Sequence, residues 1–140
     1  SHYLYARRRH AVDQRDLSFD AFLESEKALR YGSQYLFYFA SVFQCESTDT
    51  ASDLQRAKDN LSRFSVVGDL ARPEDFRRRL GAALGVKLIV GRAANAKPAS
   101  AEDLQLDSSR LGKIAEICSL DTEIYRYARS LAQGRGDMND

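Results

Sequence analysis

The chain has 140 residues, 44% hydrophobic and 29% charged, which is the size and composition of one globular domain with a buried core. Its 21 basic and 20 acidic side chains give a net charge of +1, which excludes a global attraction to nucleic acid or to an anionic membrane. The longest apolar run, residues 35–43, is about half as long as a membrane-spanning helix.

The first part of the chain predicts three helices and a loop. Apolar residues at helical spacing predict a helix over residues 2–12. Ser18 is a good N-cap for a second helix, which Gly32 ends. Residues 35–43 are apolar at nearly every position, which predicts a fully buried helix. Residues 46–52 are small and polar and predict a loop.

The next part predicts a helix followed by a short strand. Ser52 and Gln55 have the spacing of a capping box, which predicts a helix over residues 53–63. The stretch FSVVG, residues 64–68, is rich in β-branched residues and ends in glycine. This pattern predicts a buried strand.

The last part predicts two helices around a second strand. Pro73 fits the first turn of a helix that Gly85 ends, and its run Arg77–Arg79 is interpreted as a solvated helix face. The stretch VKLIVG, residues 86–91, predicts a strand over about 86–90. Residues 92–106 look irregular, and a long helix follows from about Ser108 to Leu131.

The order of these elements predicts an α/β fold, mostly helical with two short strands, at 64–68 and 86–90. Two strands alone do not form a stable sheet, so we expect the remaining strands elsewhere. Asp121 falls in the apolar stripe of the last helix, where a carboxylate needs a partner, and we interpret it as structural.

Two features offer donors that suit an anion, although the residues alone favour a plain N-cap and an ordinary surface loop, and no metal site is indicated. Ser1 places a hydroxyl beside the free N–H groups of the first predicted helix, although a plain N-cap is the alternative. The loop GRAANAKPAS, residues 91–100, offers hydrogen-bond donors on Arg92, Asn95, Lys97 and Ser100, with an ordinary surface loop as the alternative. Cys45 and Cys118 lack metal-ligand spacing, and both free thiols and a disulfide remain open.

Three stretches together resemble a known family. They are SHYLYARRR at 1–9, DLQRAKDNLSRFSVVGDLARPEDFRRRLGAALG at 53–85, and LGKIAEICSLDTEIYRYARSL at 111–131. The second contains A-K-x-N-L and V-V-G, and the third contains D-x-E-I-Y-x-Y-A. In order and spacing they resemble the C-terminal half of sulfotransferases, closest to the carbohydrate family that includes heparan and uronyl 2-O-sulfotransferases.

The resemblance implies a P-loop-like α/β fold and transfer of a sulfuryl group from PAPS to a hydroxyl, on a carbohydrate or small-molecule acceptor. It implies that Ser1 binds the 3′-phosphate of PAPS, with Asn95, Lys97 and Ser100 as further donor-binding candidates. No metal is implied. The family's phosphosulfate loop and usual base precede the Ser, so the resemblance names no catalytic residue, and neither His2 nor His10 fills that role.

We therefore expect residues 1–133 to form the C-terminal part of one sulfotransferase domain, inactive alone, with 134–140 as a flexible tail. The alternative is a non-catalytic helical interaction module. We expect no nucleic-acid partner and no transmembrane segment. The composition favours a bacterial cytoplasmic protein over a Golgi luminal domain, while the acceptor and the oligomeric state stay open.

Overall fold

A computed structural model describes residues 18–69, 71–89 and 106–134. Its helices, in chain order, are α1 (Phe19–Leu23), α2 (Glu26–Gly32), α3 (Gln34–Ala40), a short 3-10 helix (Gln44–Glu46), α4 (Thr50–Ser62), α5 (Pro73–Leu84), α6 (Ser108–Ile117) and α7 (Ser119–Gly134). The predicted helix 2–12 lies outside the described residues. Of the predicted tail 134–140, residues 135–140 also lie outside them, while Gly134 is the last residue of α7 and not part of a flexible tail.

Serine side chains define the first two helices. The Ser18 hydroxyl accepts a hydrogen bond from the Ala21 N–H at 3.1 Å, which confirms the predicted N-cap. The Ser25 hydroxyl donates to the Phe22 carbonyl and accepts from the Ala28 N–H. Ser25 stands between the two helices and caps the second one. The sequence predicts one helix up to Gly32, whereas the structure has two, α1 and α2.

Helix α3 is shorter and more exposed than the apolar run 35–43 predicts. It ends at Ser41, whose φ of 60° lies in the left-handed region and breaks the helical hydrogen-bond pattern. Leu36 and Ala40 are buried, but Tyr38 is 66% exposed. The prediction of a fully buried helix is therefore wrong, since only one stripe of α3 reaches the core.

Helix α4 begins earlier than predicted because a different residue caps it. The Asp49 carboxylate accepts a hydrogen bond from the Ser52 N–H at 3.1 Å, so the helix starts at Thr50 and the expected Ser52–Gln55 capping box is wrong. Helix α5 begins at Pro73 and ends at Gly85, which has a φ of 67°, as its sequence predicts.

The last predicted helix is two helices that meet at Cys118. Helix α6 starts at Ser108 with the Asp107 carboxylate as its cap, and it ends at Ile117. Helix α7 follows at once, and its Thr122 N–H donates to the Cys118 carbonyl at 2.9 Å.

The apolar side chains form two clusters, one on each side of the α6–α7 junction. The first joins α1, α2 and α6, and its buried members are Phe22, Leu23, Ala28 and Ile117. The second joins α3, α4 and α7, and its buried members are Leu36, Ala40, Ala57, Leu61 and Ile124. The long helical pair α6–α7 thus contributes to both.

The expected α/β fold with strands at 64–68 and 86–90 is wrong for the part of the chain that the structure describes, which is helical and contains no strand. A strand needs a neighbouring backbone with which to exchange hydrogen bonds. Here the Val67 carbonyl accepts instead from the Arg79 side chain, and the Leu88 carbonyl accepts from the Arg77 side chain. The Val86 N–H donates to the Gly81 carbonyl at the end of α5.

Candidate functional site

The residues predicted to bind the sulfate donor are Ser1, Asn95, Lys97 and Ser100. All four lie outside the described residues, so the structure does not test whether they come together. What it describes is the helical unit that contains two of the three motif stretches, 53–85 and 111–131.

Asp121, the first residue of the D-x-E-I-Y-x-Y-A motif, caps a helix that lies far away in the sequence. Its carboxylate accepts hydrogen bonds from the N–H groups of Tyr35 at 2.9 Å and Leu36 at 3.0 Å, at the start of α3. Ser33 stands at the N-cap position of α3 but does not cap it, because its hydroxyl donates to the Leu29 carbonyl and accepts from the Gln44 N–H. The structural role predicted for Asp121 is confirmed.

Burial governs the ionisation of Asp121 and of the nearby thiol. Removal from water raises the pKa of Asp121 above its usual value, although the backbone N–H groups of α3 oppose this by stabilising the carboxylate. Burial likewise raises the pKa of Cys118, and the Asp121 charge adds to it. Cys118 and the exposed Cys45 are free thiols. A raised pKa and partial burial make Cys118 a poor nucleophile.

The A-K-x-N-L helix, α4, packs against the D-x-E-I-Y-x-Y-A helix, α7, through motif positions. The Lys58 ammonium lies 3.5 Å from the Glu123 carboxylate. The Ser62 hydroxyl, just after the A-K-x-N-L motif, lies 2.6 Å from the Tyr127 hydroxyl. Asn60 donates to the Phe39 carbonyl at 2.8 Å and so also fixes α3. The contacts of these side chains hold α3, α4 and α7 together.

The V-V-G stretch is held against α7 by a buried carboxylate, Asp69. It accepts from the Ala71 N–H at 3.0 Å and the Tyr125 hydroxyl at 3.3 Å, and it pairs with the Arg129 guanidinium at 3.0 Å. The Ala71 N–H, with help from Arg129 and Tyr125, lowers the pKa of Asp69 below its usual value. Asp69 is therefore a charged structural contact.

Two further contacts fix the same stretch. Arg79 donates one hydrogen bond to the Val67 carbonyl at 2.6 Å and another to the Ala132 carbonyl near the end of α7. A Cβ atom on Gly68 would collide with the Phe76 ring, so the glycine of V-V-G permits a close approach of backbone to α5.

An open cleft of about 630 Å³ runs along α5, between its exposed face and the residues that follow it. Its lining includes Arg77, Arg78 and Gly81 of α5 and residues 86–88 after it.

Sequence reasoning missed Asp69, Arg79 and the second role of Arg77. The run Arg77–Arg79 is a solvated face only at Arg78, whose side chain is 71% exposed and pairs with Asp75 on the same helix. The spacing of Glu74 and Arg77 is visible in the sequence, but the carbonyl groups that Arg77 and Arg79 bind are not.

The described residues contain no group of three His, Cys, Asp or Glu side chains that could hold a metal ion. Over those same residues, no helix combines the length and the apolar character that crossing a membrane requires. Comparison of the chain with protein families, curated proteins and solved structures finds no match.

Proposed function

We propose that the chain is the C-terminal portion of a PAPS-dependent sulfotransferase that acts on a hydroxyl group of a carbohydrate or another small molecule. The observation that supports this best is the packing of the two described motif stretches on each other. Lys58 of one pairs with Glu123 of the other. Ile124, Ala57 and Leu61 belong to one buried cluster. The two stretches that carry the resemblance therefore belong to one packed unit.

The proposed reaction exchanges one sulfur–oxygen bond for another. The bond between sulfur and the 5′-phosphate oxygen of PAPS breaks while the acceptor oxygen attacks sulfur in line, and the hydroxyl proton passes to a base. The products are PAP and a sulfate ester. Ser1, Asn95 and Ser100 would donate hydrogen bonds and Lys97 would add a positive charge, a donor set that suits phosphate oxygens. No residue of the chain is assigned as the base.

Titration of PAP into the full-length protein that carries this sequence tests the proposal. We expect saturable binding in isothermal calorimetry, and weaker binding of AMP, which lacks the 3′-phosphate. Lys97→Met and Ser1→Ala should each weaken PAP binding, because each removes a donor to phosphate. Absence of PAP binding at millimolar concentration would reject the proposal.

A second candidate, a non-catalytic helical interaction module, is favoured by the exposed aromatic rings of α3. Phe37 stacks on Phe43 with their ring centres 4.2 Å apart, and Tyr38 lies beside Phe37. Phe37 is 39% exposed and Tyr38 is 66% exposed. Such rings are enriched in protein interfaces. Cooperative urea unfolding of the isolated chain together with failure to bind PAP would select this candidate.

A further inference from the structure

Six of the helices form two groups, each around its own apolar cluster. The first helix group consists of α1, α2 and α6, and the second consists of α3, α4 and α7. Among the described residues, no apolar side chain belongs to both clusters. The backbone passes directly from the first group to the second at Ser33, after α2, and again at Cys118, after α6. Helix groups without a common core can change their relative orientation unless other contacts prevent it.

The two passages of the backbone lie side by side. In the first group, Gly32 packs against Ile117, since a Cβ atom on Gly32 would lie 2.6 Å from the Ile117 carbonyl oxygen. In the second group, the Asp121 carboxylate accepts hydrogen bonds from the N–H groups of residues 35 and 36. Each helix group is thus held together up to the residues where the backbone leaves it. Two adjacent passages define one line, and the ends of helices are the usual places at which a hinge turns.

Arg30 of α2 contacts the chain on the other side of this line. Its Nη2 lies 2.7 Å from the Glu46 carboxylate in the 3-10 helix, and its guanidinium lies over the Phe43 ring, 4.9 Å from the ring centre. Phe43 in turn stacks on Phe37 of α3, a member of the second helix group. Both side chains of the ion pair are about half exposed, and pairs of this kind are weak. The contact can therefore fix the orientation of the two groups and still be broken easily.

Gln44, in the same 3-10 helix, adds an independent observation beside the Arg30 contact. Its backbone N–H donates to the Ser33 hydroxyl at 3.1 Å, which connects the 3-10 helix to the passage after α2. Its side-chain Oε1 is buried and has no hydrogen-bond partner among the described residues. A buried acceptor without a donor destabilises the arrangement that buries it. The closed arrangement therefore bears a cost that an open and hydrated one does not bear.

We propose that Ser33 and Cys118 form a hinge between the two helix groups and that Arg30 is the latch that holds this hinge closed. The latch acts through the Glu46 carboxylate and the Phe43 ring. Its release lets the first helix group rotate relative to the second, while both apolar clusters stay packed. This inference does not depend on the proposed function.

Residual dipolar couplings of the backbone N–H groups test the proposal, because they report the orientation of each helix. In the unchanged chain, we expect the couplings of both helix groups to fit one alignment tensor. Arg30→Met keeps an aliphatic side chain and removes every donor, so the two groups should then require different tensors, each fitted well. The control is Arg110→Met, which removes an arginine pairing with Asp20 at 2.7 Å inside the first helix group. This variant should keep one common tensor.

Three results would overturn the inference. They are one common tensor for Arg30→Met, the same separation of tensors for Arg110→Met, and separate tensors already in the unchanged chain. If Arg30→Met instead unfolds α2 locally, Glu46→Met decides, because it removes the pairing from the other side and leaves that of Arg30 with Glu26 in place. Separate tensors for Glu46→Met support the latch, and one common tensor overturns it.

Discussion

Asp121→Ala should destabilise the chain because it removes the cap that α7 supplies to α3. Two N–H groups lose their acceptor, those of Tyr35 and Leu36. Loss of an N-cap costs about 1 kcal/mol. The Tyr35 bond is exposed, so water can replace it, but the Leu36 bond is partly buried, and an unsatisfied donor there adds about 1 to 3 kcal/mol.

One effect opposes this loss. Burial raises the pKa of Asp121, which means that the folded state bears a cost for keeping the carboxylate charged, and the substitution relieves that cost. The balance is a loss of about 2 kcal/mol in the free energy of unfolding at neutral pH. Asp121→Asn keeps one oxygen acceptor and should lose about half as much.

Urea unfolding followed by far-ultraviolet circular dichroism measures these differences. The control is Glu123→Ala, two residues further along α7, which removes a half-exposed pairing with Lys58 at 3.5 Å. A pair of this kind is worth at most about 1 kcal/mol. If Asp121→Ala lowers the free energy of unfolding no more than Glu123→Ala does, the carboxylate is not the cap that α3 depends on.

Three further predictions use the same unfolding assay. Gly32→Ala should lower the free energy of unfolding by about 2 kcal/mol, because its Cβ atom would lie 2.6 Å from the Ile117 carbonyl oxygen. Its control is Gly112→Ala, in open space within α6, which should raise the free energy of unfolding by about 1 kcal/mol. Equal effects of the two substitutions would contradict the close packing at Gly32. The Ile124 side chain is 1% exposed, so Ile124→Val should lower the free energy of unfolding by about 1 kcal/mol. An unchanged free energy of unfolding would mean that the neighbouring side chains move in to fill the space of the deleted methyl group. Because the folded-state pKa of Asp69 is lowered, its contribution is complete above pH 3.8 and lost as the pH falls through the folded-state value. The difference in free energy of unfolding between Asp69→Asn and the unchanged chain should therefore become smaller in acid. A difference that does not change with pH would refute this.

The helix ends that depend on neighbouring residues could be predicted from the sequence. Ser18, Pro73 and Gly85 each act within one turn of their own position, so their side chains and backbone preferences suffice. The start of α4 could not be predicted in this way, because Asp49 and Ser52 are both good caps three residues apart. The sequence does not say which of them the chain uses.

The strands failed for a different reason. Val66 and Val67 have a real local preference for extended backbone, but a strand exists only where a second strand supplies hydrogen bonds. In the described residues Arg79 supplies the bond to the Val67 carbonyl instead. The acceptor of a long arginine side chain depends on the tertiary fold. The number of β-branched residues in a stretch therefore cannot predict whether a second strand or an arginine side chain will bind its carbonyl groups.

The structural role of Asp121 was predictable while its partners were not. A carboxylate in an apolar helix stripe must have a partner, which the pattern shows directly. The N–H groups that it accepts from belong to residues 35 and 36, far earlier in the chain, and only the fold brings them together.

The uses of the motif residues decide which substitutions can test the proposed function. Asp121 caps α3, Glu123 pairs with Lys58, and Tyr125 donates to Asp69. Substituting them changes stability first, so a loss of activity there would not separate a sulfotransferase from an interaction module. Substitutions of two proposed phosphate donors, Ser1→Ala and Lys97→Met, do separate the two. The sulfotransferase requires weaker PAP binding from them, and the module requires no effect.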